Sequence, residues 1–348
     1  MRAKTGPVRP SRGVPRFRGW MPLALMAALM VAVGGYASSQ SSAFLSEFNL
    51  NGLFLAAIPL ALVAMGQLNV LLVGNFDISV GALMTLCVVT ASYIVTSDVA
   101  WYVMLGGAVA LVAIGAGVGL ANSGLVRVIG LPSIIATLAT LSVLQGVSLA
   151  LRPIPAGFID AEFATTMRAS VGLMPIAFVA VVVLAVLWDV WLYRRPGGLT
   201  TRAIGFDEGS ARRLGALSGR VHVRAFILSG LMAALGALFL ASQVGVGDAR
   251  VGSGFALTSI AAAVLGGASL AGGRGSFIGA TVGALFLSLI VNVLPFIGWS
   301  AAYGQIAIGA LTLLALVLYQ GPELFARLRS FLAGVRRSRT EEARASAT

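Results

Sequence analysis

Long apolar blocks alternate with short polar connections along most of this 348-residue chain. Each block is close to the roughly 20 residues that a helix needs to cross about 30 Å of hydrocarbon, and none alternates with the period of a barrel strand. The pattern predicts an all-α polytopic membrane protein with about ten transmembrane helices. The predicted spans are residues 20–37, 51–73, 78–97, 100–121, 131–150, 171–193, 225–243, 256–272, 276–295 and 301–319, of which 256–272 is the shortest.

The first apolar block has two interpretations. Residues 1–18 contain basic residues and no acidic ones, and small residues follow the apolar run at about 37–42. A cleaved secretory signal fits this arrangement, whereas a run of about 17 apolar residues also suffices for an uncleaved helix. We favour the uncleaved helix.

The positions of the basic residues predict the orientation. Threading ten spans from a cytoplasmic N-terminus puts all of the 24 basic residues on the inner side except Arg152, Arg168 and Arg250. Cytoplasmic loops carry such an excess of Lys and Arg, so we expect both termini in the cytoplasm. The expected organisation is a basic tail at 1–19, one transmembrane domain at 20–320 and a second basic tail at 321–348.

Six of the predicted spans precede the polar loop at 194–224 and four follow it. This arrangement allows two inverted four-helix repeats around the sixth helix.

Composition excludes several classes of protein. The chain is 58% hydrophobic and 10% charged, against roughly 25% charged in ordinary soluble domains. Its net charge of +12 comes from clusters between apolar runs, without a basic stripe interleaved with aromatic residues, so we expect no nucleic-acid partner. Cys87 and His222 are the only residues of their types, which excludes disulfide frameworks and Cys/His metal sites.

Lysine usage excludes a nucleotide site of the phosphate-loop type. The only lysine, Lys4, lies in the N-terminal tail, whereas such a loop requires a lysine after its glycines. We therefore expect no cofactor on this chain, and any ATP on another protein.

The loop at 194–224 contains seven arginines and predicts a partner-binding segment. An acidic pair, later arginines and a glycine stop predict a short helix whose charges match its dipole. Within it, Ala211 and Leu214 would share a face and form an apolar patch. The alternative is a loop that only fixes topology and touches anionic lipid. The candidate docking residues are Gly205, Asp207, Glu208, Ala211, Arg212, Leu214 and Gly215.

Polar residues near the inner ends of the spans are candidates for a pathway or gate. Asp77 and Ser79 open an apolar helix, where either can cap free N–H groups, and a gating or coupling role is the alternative. Glycines on both sides of Asn122 predict a tight turn between two helices.

Two further features point to the bundle interior. Thr137, Thr140 and Gln145 lie near one stripe of a helix, where they either bond to a neighbouring helix or face a water-filled path. Asn292 is an isolated polar residue in an apolar block. The glycine-rich segment 252–275 predicts close helix packing or a broken helix, which is common beside transport routes.

Together these motifs resemble the permease subunits of ribose-type sugar importers of the ABC class, in the branched-chain amino acid/ribose permease superfamily. The resemblance covers about residues 51–319 and rests on four motifs in the same order, two of which depart from the family pattern at Asn75-Phe76 and Gly209-Ser210. The matching segments are Asn75–Gly81, Asn122 with Leu131–Thr140, Ala203–Arg212 and Ile260–Gly275.

The resemblance implies a multi-pass protein of the bacterial inner membrane and a homodimer. It implies that a periplasmic sugar-binding protein delivers the sugar. It also implies a cytoplasmic ATP-binding subunit that binds residues 203–220. The leading hypothesis is therefore a transport subunit, not an enzyme, that translocates a ribose-like pentose or hexose. The residues assigned to its pathway or gate are Asp77, Ser79, Asn122, Thr137, Gln145 and Asn292.

Two alternatives stay open. The same architecture could move branched-chain amino acids or nucleosides. An ion-coupled secondary transporter would normally use intramembrane carboxylates or a cation site, and Asp189, near the cytoplasmic end of its span, is the only acidic residue well inside a predicted span.

Overall fold

The computed structural model describes residues 21–97, 99–300 and 302–314, so the predicted tails at 1–19 and 321–348 lie outside the described residues. The described part is mostly helical. Its helices are α1 (Met21–Gln40), α2 (Glu47–Leu72), α3 (Val80–Ile94), α4 (Trp101–Arg127), α5 (Ser133–Leu151), α6 (Ala161–Met167), α7 (Ile176–Arg194), α8 (Pro196–Phe206), α9 (Glu208–Arg213), α10 (Ser218–Val244), α11 (Phe255–Leu265), α12 (Phe277–Val293) and α13 (Ala302–Leu314), with 3-10 turns at Ser42–Leu45 and Leu294–Ile297.

Each of the ten predicted spans contains an apolar helix, but the helices differ in length. Within the described residues, seven are long and apolar enough to cross a membrane: α1, α2, α4, α5, α7, α10 and α12 together with the 3-10 turn that follows it. Of the other three, α3 and α11 are shorter, and α13 is described only over Ala302–Leu314. The predicted span at 256–272 is shortened most, because α11 ends at Leu265 and Gly267 turns the chain with a φ of +92°.

The tight turn predicted around Asn122 is wrong. Helix α4 continues to Arg127, which places Asn122 inside the helix, and the chain turns at Gly130 with a φ of +83°. Gly119 serves packing instead, since an added Cβ would overlap the backbone carbonyl of Phe226 on α10. Small residues allow this close approach of helix backbones.

Helices α2 and α10 form the centre of the bundle. Buried residues cover most of α2 and the larger part of α10. A helix that is apolar on all sides is stable where neighbours surround it, and α2 packs against α7, α10, α11 and α12. Helices α4, α5 and α7 instead expose apolar side chains such as Val109, Val143 and Leu187, as expected of helices that face lipid.

The connecting segments gather at two opposite ends. At one, here named the loop end, α8 and α9 meet the end of α2, the end of α4 and residues 266–276. At the other, the strand end, lie α6 and two short antiparallel strand pairs: β1 (Ala156–Phe158) with β4 (Val246–Gly247), and β2 (Ser170–Val171) with β3 (Met174–Pro175). Among the described residues, the segments predicted to be cytoplasmic, 74–77, 122–130, 194–224 and 273–275, therefore share one end.

Candidate functional site

Asp77 is the centre of a buried polar cluster at the loop end. Its side chain is 1% exposed. Oδ1 accepts hydrogen bonds from the backbone N–H and the hydroxyl of Ser79 at 3.1 and 2.6 Å, and Oδ2 accepts one from the Ser229 hydroxyl on α10 at 2.9 Å. A buried carboxylate requires such donors. The carboxylate thus closes the turn before α3 and joins that turn to α10.

Helices α4 and α5 complete this cluster. The Asn122 amide donates to the Ser79 hydroxyl at 2.8 Å, and the Thr140 hydroxyl donates to the Asn122 carbonyl at 2.6 Å. The Thr137 hydroxyl accepts a hydrogen bond from the backbone N–H of Ile78 at 3.2 Å. The prediction that Thr137 and Thr140 share a face is confirmed, and both side chains bond to neighbouring segments.

Two members of the cluster were missed by the sequence analysis, and one candidate lies elsewhere. Ser229 is one of them. The other is Gln67 on α2, whose amide, in the orientation that satisfies both groups, pairs with the backbone N–H and carbonyl of Asp77 at 3.3 and 2.9 Å. A polar residue inside an apolar run was the available signal. Gln145 is remote from the cluster and donates to the Ala249 carbonyl at 2.6 Å.

The predicted short helix in the polar loop is confirmed as α9. The Asp207 carboxylate accepts hydrogen bonds from the backbone N–H and hydroxyl of Ser210 at 3.1 and 2.5 Å, which caps the helix and lowers the pKa of Asp207. Gly215 ends the segment with a φ of +88°. Helix α8 before it was not predicted, although Pro196 at its first position is a recognised start signal.

Glu208 connects α9 to the bundle. Its Oε1 lies 3.0 Å from Nη2 of Arg127 at the end of α4 and accepts a hydrogen bond of 2.6 Å from the Ser218 hydroxyl on α10. The Ser218 hydrogen bond and the Arg127 guanidinium lower the pKa of Glu208. This carboxylate is therefore occupied by internal partners.

The predicted apolar patch of Ala211 and Leu214 is wrong. Ala211 is buried, whereas Leu214 is 89% exposed. Helix α9 ends at Arg213, so Leu214 already leaves the helix and the two side chains diverge. The exposed large apolar and basic side chains here form what we name the loop surface: Phe206, Arg212, Arg213, Leu214 and Leu217.

Helix α8 contacts a second part of the bundle through Gly205. An added Cβ at Gly205 would overlap the Leu72 carbonyl at the end of α2 and the backbone of Gly273. The backbone N–H of Gly273 in turn donates to the Leu72 carbonyl at 2.9 Å. Arg274 lies 5.4 Å from the centre of the Phe206 ring. Helix α8 thus lies directly on the 266–276 segment that joins α11 to α12.

A cavity of about 530 Å³ lies between α2, α11, α12, α13 and the segment before α11. Asn292 lines it and forms a reciprocal amide pair with Asn49, at 2.9 and 3.2 Å. Asn292 is the one predicted pathway residue in the described lining. Ser253 and Thr258 in the lining belong to the glycine-rich segment 252–275, which the sequence marked as a candidate, whereas Ser288 and Gln305 were missed.

Asp189 on α7 caps the start of α12. Oδ1 accepts from the backbone N–H of Phe277 at 2.8 Å, and Oδ2 accepts from the Ser276 hydroxyl at 2.6 Å and the Ile278 N–H at 3.2 Å. These N–H groups lack partners within a helix, and the carboxylate also matches the helix dipole. Among residues 21–97, 99–300 and 302–314, no group of three His, Cys, Asp or Glu side chains could hold a metal ion.

Comparison with known proteins gives the class. A family described as "Branched-chain amino acid transport system / permease component" matches residues 49–316. The chain belongs to this permease family and is a multi-pass protein of the inner membrane.

Curated relatives carry a more specific name. The chain is 32% identical to the autoinducer 2 import system permease protein LsrC of Shigella flexneri, over 85% of each chain. It is 33% identical to that of Escherichia coli O157:H7, over 86% of each chain, and 33% identical to that of Salmonella paratyphi B, over 86% of this chain and 85% of the relative. No solved structure matches the chain.

Proposed function

We propose that this chain is the membrane-spanning permease subunit of an ABC importer for a sugar-like molecule, with ATP bound and hydrolysed by a separate cytoplasmic subunit. The observation that carries the proposal is the position of α8 and α9. These two helices contact two different groups of membrane helices and still leave a surface exposed.

The first contact leads to α4 and α10, through Glu208 with Arg127 and Ser218. These two helices pack closely, because an added Cβ at Gly115 or Gly230 would overlap the backbone of the other helix. They also supply Asn122 and Ser229 to the Asp77 cluster. A force on α9 would therefore reach Asp77.

The second contact leads to the cavity, through Gly205 with Leu72 and Gly273. Helix α2 and the α11–α12 pair carry most of the cavity lining. A partner that binds α8 and α9 differently in two nucleotide states would shift the balance between two arrangements of these helices. The Asp77 cluster would form the gate that is open in one of these two arrangements and closed in the other. Its gate residues would be Asp77, Ser79, Asn122 and Thr137.

The loop surface has the composition of a protein-binding site. Exposed Phe206, Leu214 and Leu217 provide apolar anchors, and Arg212 and Arg213 add charge beside them. Apolar anchors with arginine are enriched at protein interfaces. Of the other arginines of 194–224, Arg202 and Arg224 lie over the rings of Tyr193 and Trp191. Arg194, Arg195 and Arg220 would contact anionic lipid headgroups.

For the cargo we propose a ribose-type monosaccharide or the autoinducer 2 that gives the relatives their name. A periplasmic binding protein would deliver it to the strand end of a homodimer. Branched-chain amino acids are the second candidate cargo, because they appear in the family's description. Nucleosides are a further candidate cargo for the same architecture.

The proposed orientation puts the loop end in the cytoplasm with both tails, and has ten crossings. The short helices support the inverted repeats. In α2–α5 and α10–α13, the second helix of each set, α3 or α11, is shorter than the helix before it and the helix after it. The segment before α11 meets α3 where the Gly252 N–H donates to the Thr85 hydroxyl at 3.0 Å. Short segments in corresponding positions of two halves are typical of such transporters.

Uptake into vesicles tests the function. The chain is reconstituted with candidate ATP-binding and substrate-binding partners, and entry of labelled D-ribose, autoinducer 2 and L-leucine is measured. ATP supplied on the side of the membrane that the ATP-binding subunit occupies should drive uptake, and a non-hydrolysable ATP analogue on that side should not. Uptake that follows an ion gradient without ATP would contradict the proposal. Among the cargoes, preferential uptake of L-leucine would select the second candidate.

A further inference from the structure

We infer that residues 245–252, here named the strand-end turn, form a second gate that closes the pathway toward the strand end, and that Gln145 on α5 holds this gate closed. The inference rests on the proposed transport function and adds the counterpart of the Asp77 gate. A transporter that opens to one side at a time requires a gate at each end.

The strand-end turn repeats the turn before α3 in sequence. Residues 74–81 read GNFDISVG and residues 245–252 read GVGDARVG, so both follow the pattern Gly-x-x-Asp-x-x-Val-Gly. The helices after them, α3 and α11, end at the same distance from their turns, at Ile94 and Leu265. The turn before α3 lies at the loop end, whereas the strand-end turn includes β4 at the opposite end. The two turns therefore occupy equivalent positions in two halves of opposite orientation.

The backbones of the two turns are also alike. Gly74 and Gly245 turn the chain after α2 and α10 with φ values of +75° and +71°. In each turn, Oδ1 of the aspartate accepts a hydrogen bond from the backbone N–H two residues later, at 3.1 Å for Asp77 and 2.9 Å for Asp248. A left-handed glycine and an aspartate that bonds its own turn define a local backbone shape. The shared sequence pattern therefore produces a shared structure.

Helix α5 contacts the same position of both turns. The Thr137 hydroxyl accepts a hydrogen bond from the N–H of Ile78, and the Gln145 amide donates one of 2.6 Å to the carbonyl of Ala249. Ile78 and Ala249 each follow the aspartate of their turn. Thr137 and Gln145 lie about 12 Å apart along α5. One helix therefore holds the backbone of both turns, and Gln145 is the side chain that fixes the strand-end turn.

The strand-end turn lies along α3 and borders the cavity. An added Cβ at Gly247 would overlap the Ser92 side chain near the end of α3. The Gly252 N–H donates to the Thr85 hydroxyl nearer the start of that helix, at 3.0 Å. The residues that follow the turn, 253–255, line the cavity. Movement of the turn away from α5 would therefore move part of the cavity wall.

The cavity lies between the two turns. Its α2 residues, Ala56 and Leu60, lie in the first half of a helix that ends at Leu72, where the Leu72 carbonyl contacts α8. The turn before α3 begins two residues after Leu72 and so lies on the loop-end side of the cavity. The strand-end turn lies on the other side. Opening it would connect the cavity to the strand end.

Thiol labelling tests this inference in the full-length chain. Ser253→Cys places a reporter thiol in the cavity lining directly after the strand-end turn, and the native Cys87 is buried. Sealed membrane vesicles of the two orientations present either the strand end or the loop end to a membrane-impermeant maleimide. Labelling rates are measured without ATP, substrate or partner proteins, so that they report on the chain alone.

Gln145→Met removes the hydrogen bond to Ala249 and keeps a side chain of similar length. We expect labelling of the reporter from the strand end to become about 2- to 10-fold faster, which corresponds to the loss of one hydrogen bond. Labelling from the loop end should not change. Gln145→Glu keeps the size of the side chain, and its carboxylate cannot donate to a carbonyl. This second variant should have the same effect, and it replaces Gln145→Met if that variant inserts poorly.

Asn51→Leu is the matched control. The Asn51 amide on α2 donates to the Leu173 carbonyl at 3.3 Å, so the substitution removes another amide-to-carbonyl hydrogen bond at the strand end, outside the proposed gate. Each substitution should lower the thermal stability, because each removes one such bond. Only the Gln145 variants should accelerate labelling from the strand end. This difference separates a residue that positions a gate from one that only stabilises the fold.

Equal acceleration by Gln145→Met and Asn51→Leu would overturn the inference, as would unchanged labelling of the Gln145 variants or equal acceleration from both ends. The outcome is separable from that of the proposed function. ATP-driven uptake by the unsubstituted chain, without an effect of Gln145→Met on labelling, would overturn the second gate alone. Labelling from the strand end that depends on Gln145, together with uptake driven by an ion gradient, would overturn the ABC role and support the gate.

Discussion

The hydroxyl of Ser229 donates a hydrogen bond of 2.9 Å to Oδ2 of Asp77, although 152 residues separate them in the chain. This bond fixes the turn before α3 to the centre of α10. The proposed gate depends on it, because the same carboxylate also binds Ser79, which Asn122 contacts from α4.

Replacing Ser229 by alanine should destabilise the protein. The change leaves a buried carboxylate oxygen without a donor, and we expect the free energy of unfolding to fall by about 1–3 kcal/mol. Denaturant unfolding of the purified protein in detergent measures this. Ser142→Ala, which removes an exposed hydroxyl from α5, is the matched control. Equal effects of the two substitutions would contradict the role of the buried bond.

Replacing Asp77 by asparagine should impair uptake. The amide replaces one of the two acceptor oxygens by an N–H donor, so at least one of the Ser79 and Ser229 hydroxyls must reverse its hydrogen bond or lose it. We expect a lower maximal rate of ATP-driven uptake, while the apparent affinity for substrate changes little. Unchanged uptake by a correctly inserted variant would show that the cluster has no part in gating.

Exchanging the charges of Arg127 and Glu208 tests whether Glu208 acts through its ion pair inside the protein or by contacting the partner directly. Glu208→Arg should weaken co-purification with the ATP-binding partner, because it places two guanidinium groups side by side. The double exchange Arg127→Glu with Glu208→Arg should restore it, since the pair is rebuilt with the opposite polarity. The pair is partly exposed, with side chains 24% and 35% accessible, so its own contribution to stability should stay at about 0.2–1 kcal/mol.

Arg212→Glu should also weaken partner binding, but for a different reason. Arg212 is an exposed part of the loop surface, so its substitution acts on the partner directly. We therefore expect no rescue when Arg127→Glu is added, and co-purification measures both variants. Rescue of Arg212→Glu by a change at Arg127 would indicate that Arg212, too, acts through the bundle.

Two glycine substitutions should have opposite effects. Gly205→Ala forces a Cβ into the backbone of Leu72 and Gly273, so we expect a loss of about 1–3 kcal/mol from overpacking. Gly219 in α10 has open space around it, and Gly219→Ala should be neutral or stabilising by up to about 1 kcal/mol. Thermal unfolding compares the two. A tolerated Gly205→Ala would show that α8 can move away from the 266–276 segment.

Substitution of Asp189 tests the structural role of the one acidic residue that the sequence places well inside a span. Asp189→Ala leaves the Ser276 cap in place but removes the acceptor of the Phe277 and Ile278 N–H groups at the start of α12. We expect a loss of about 0.5–2 kcal/mol in unfolding free energy. Asp189→Asn keeps one acceptor and should lose less. Neither should change how uptake depends on an ion gradient. A change in ion dependence with normal stability would favour an ion-coupled transporter.

Much of the fold could be predicted from the apolar pattern. A backbone that crosses hydrocarbon must satisfy its own polar groups, so long apolar runs form helices, and all ten predicted spans contain one. The capping signals of α9 were equally readable, because Asp207 and Gly215 act on neighbours within a few residues. Such local interactions are encoded in adjacent sequence.

The role of each glycine and each polar residue depended on the tertiary structure. Gly215 and Gly119 look alike in the sequence, yet one ends a segment with positive φ and the other admits the backbone of α10. Asn292 pairs with Asn49 across 243 residues. Whether a small or polar residue ends a helix, bonds to a neighbour or lines a cavity is decided by what packs against it, and those contacts come from distant parts of the chain.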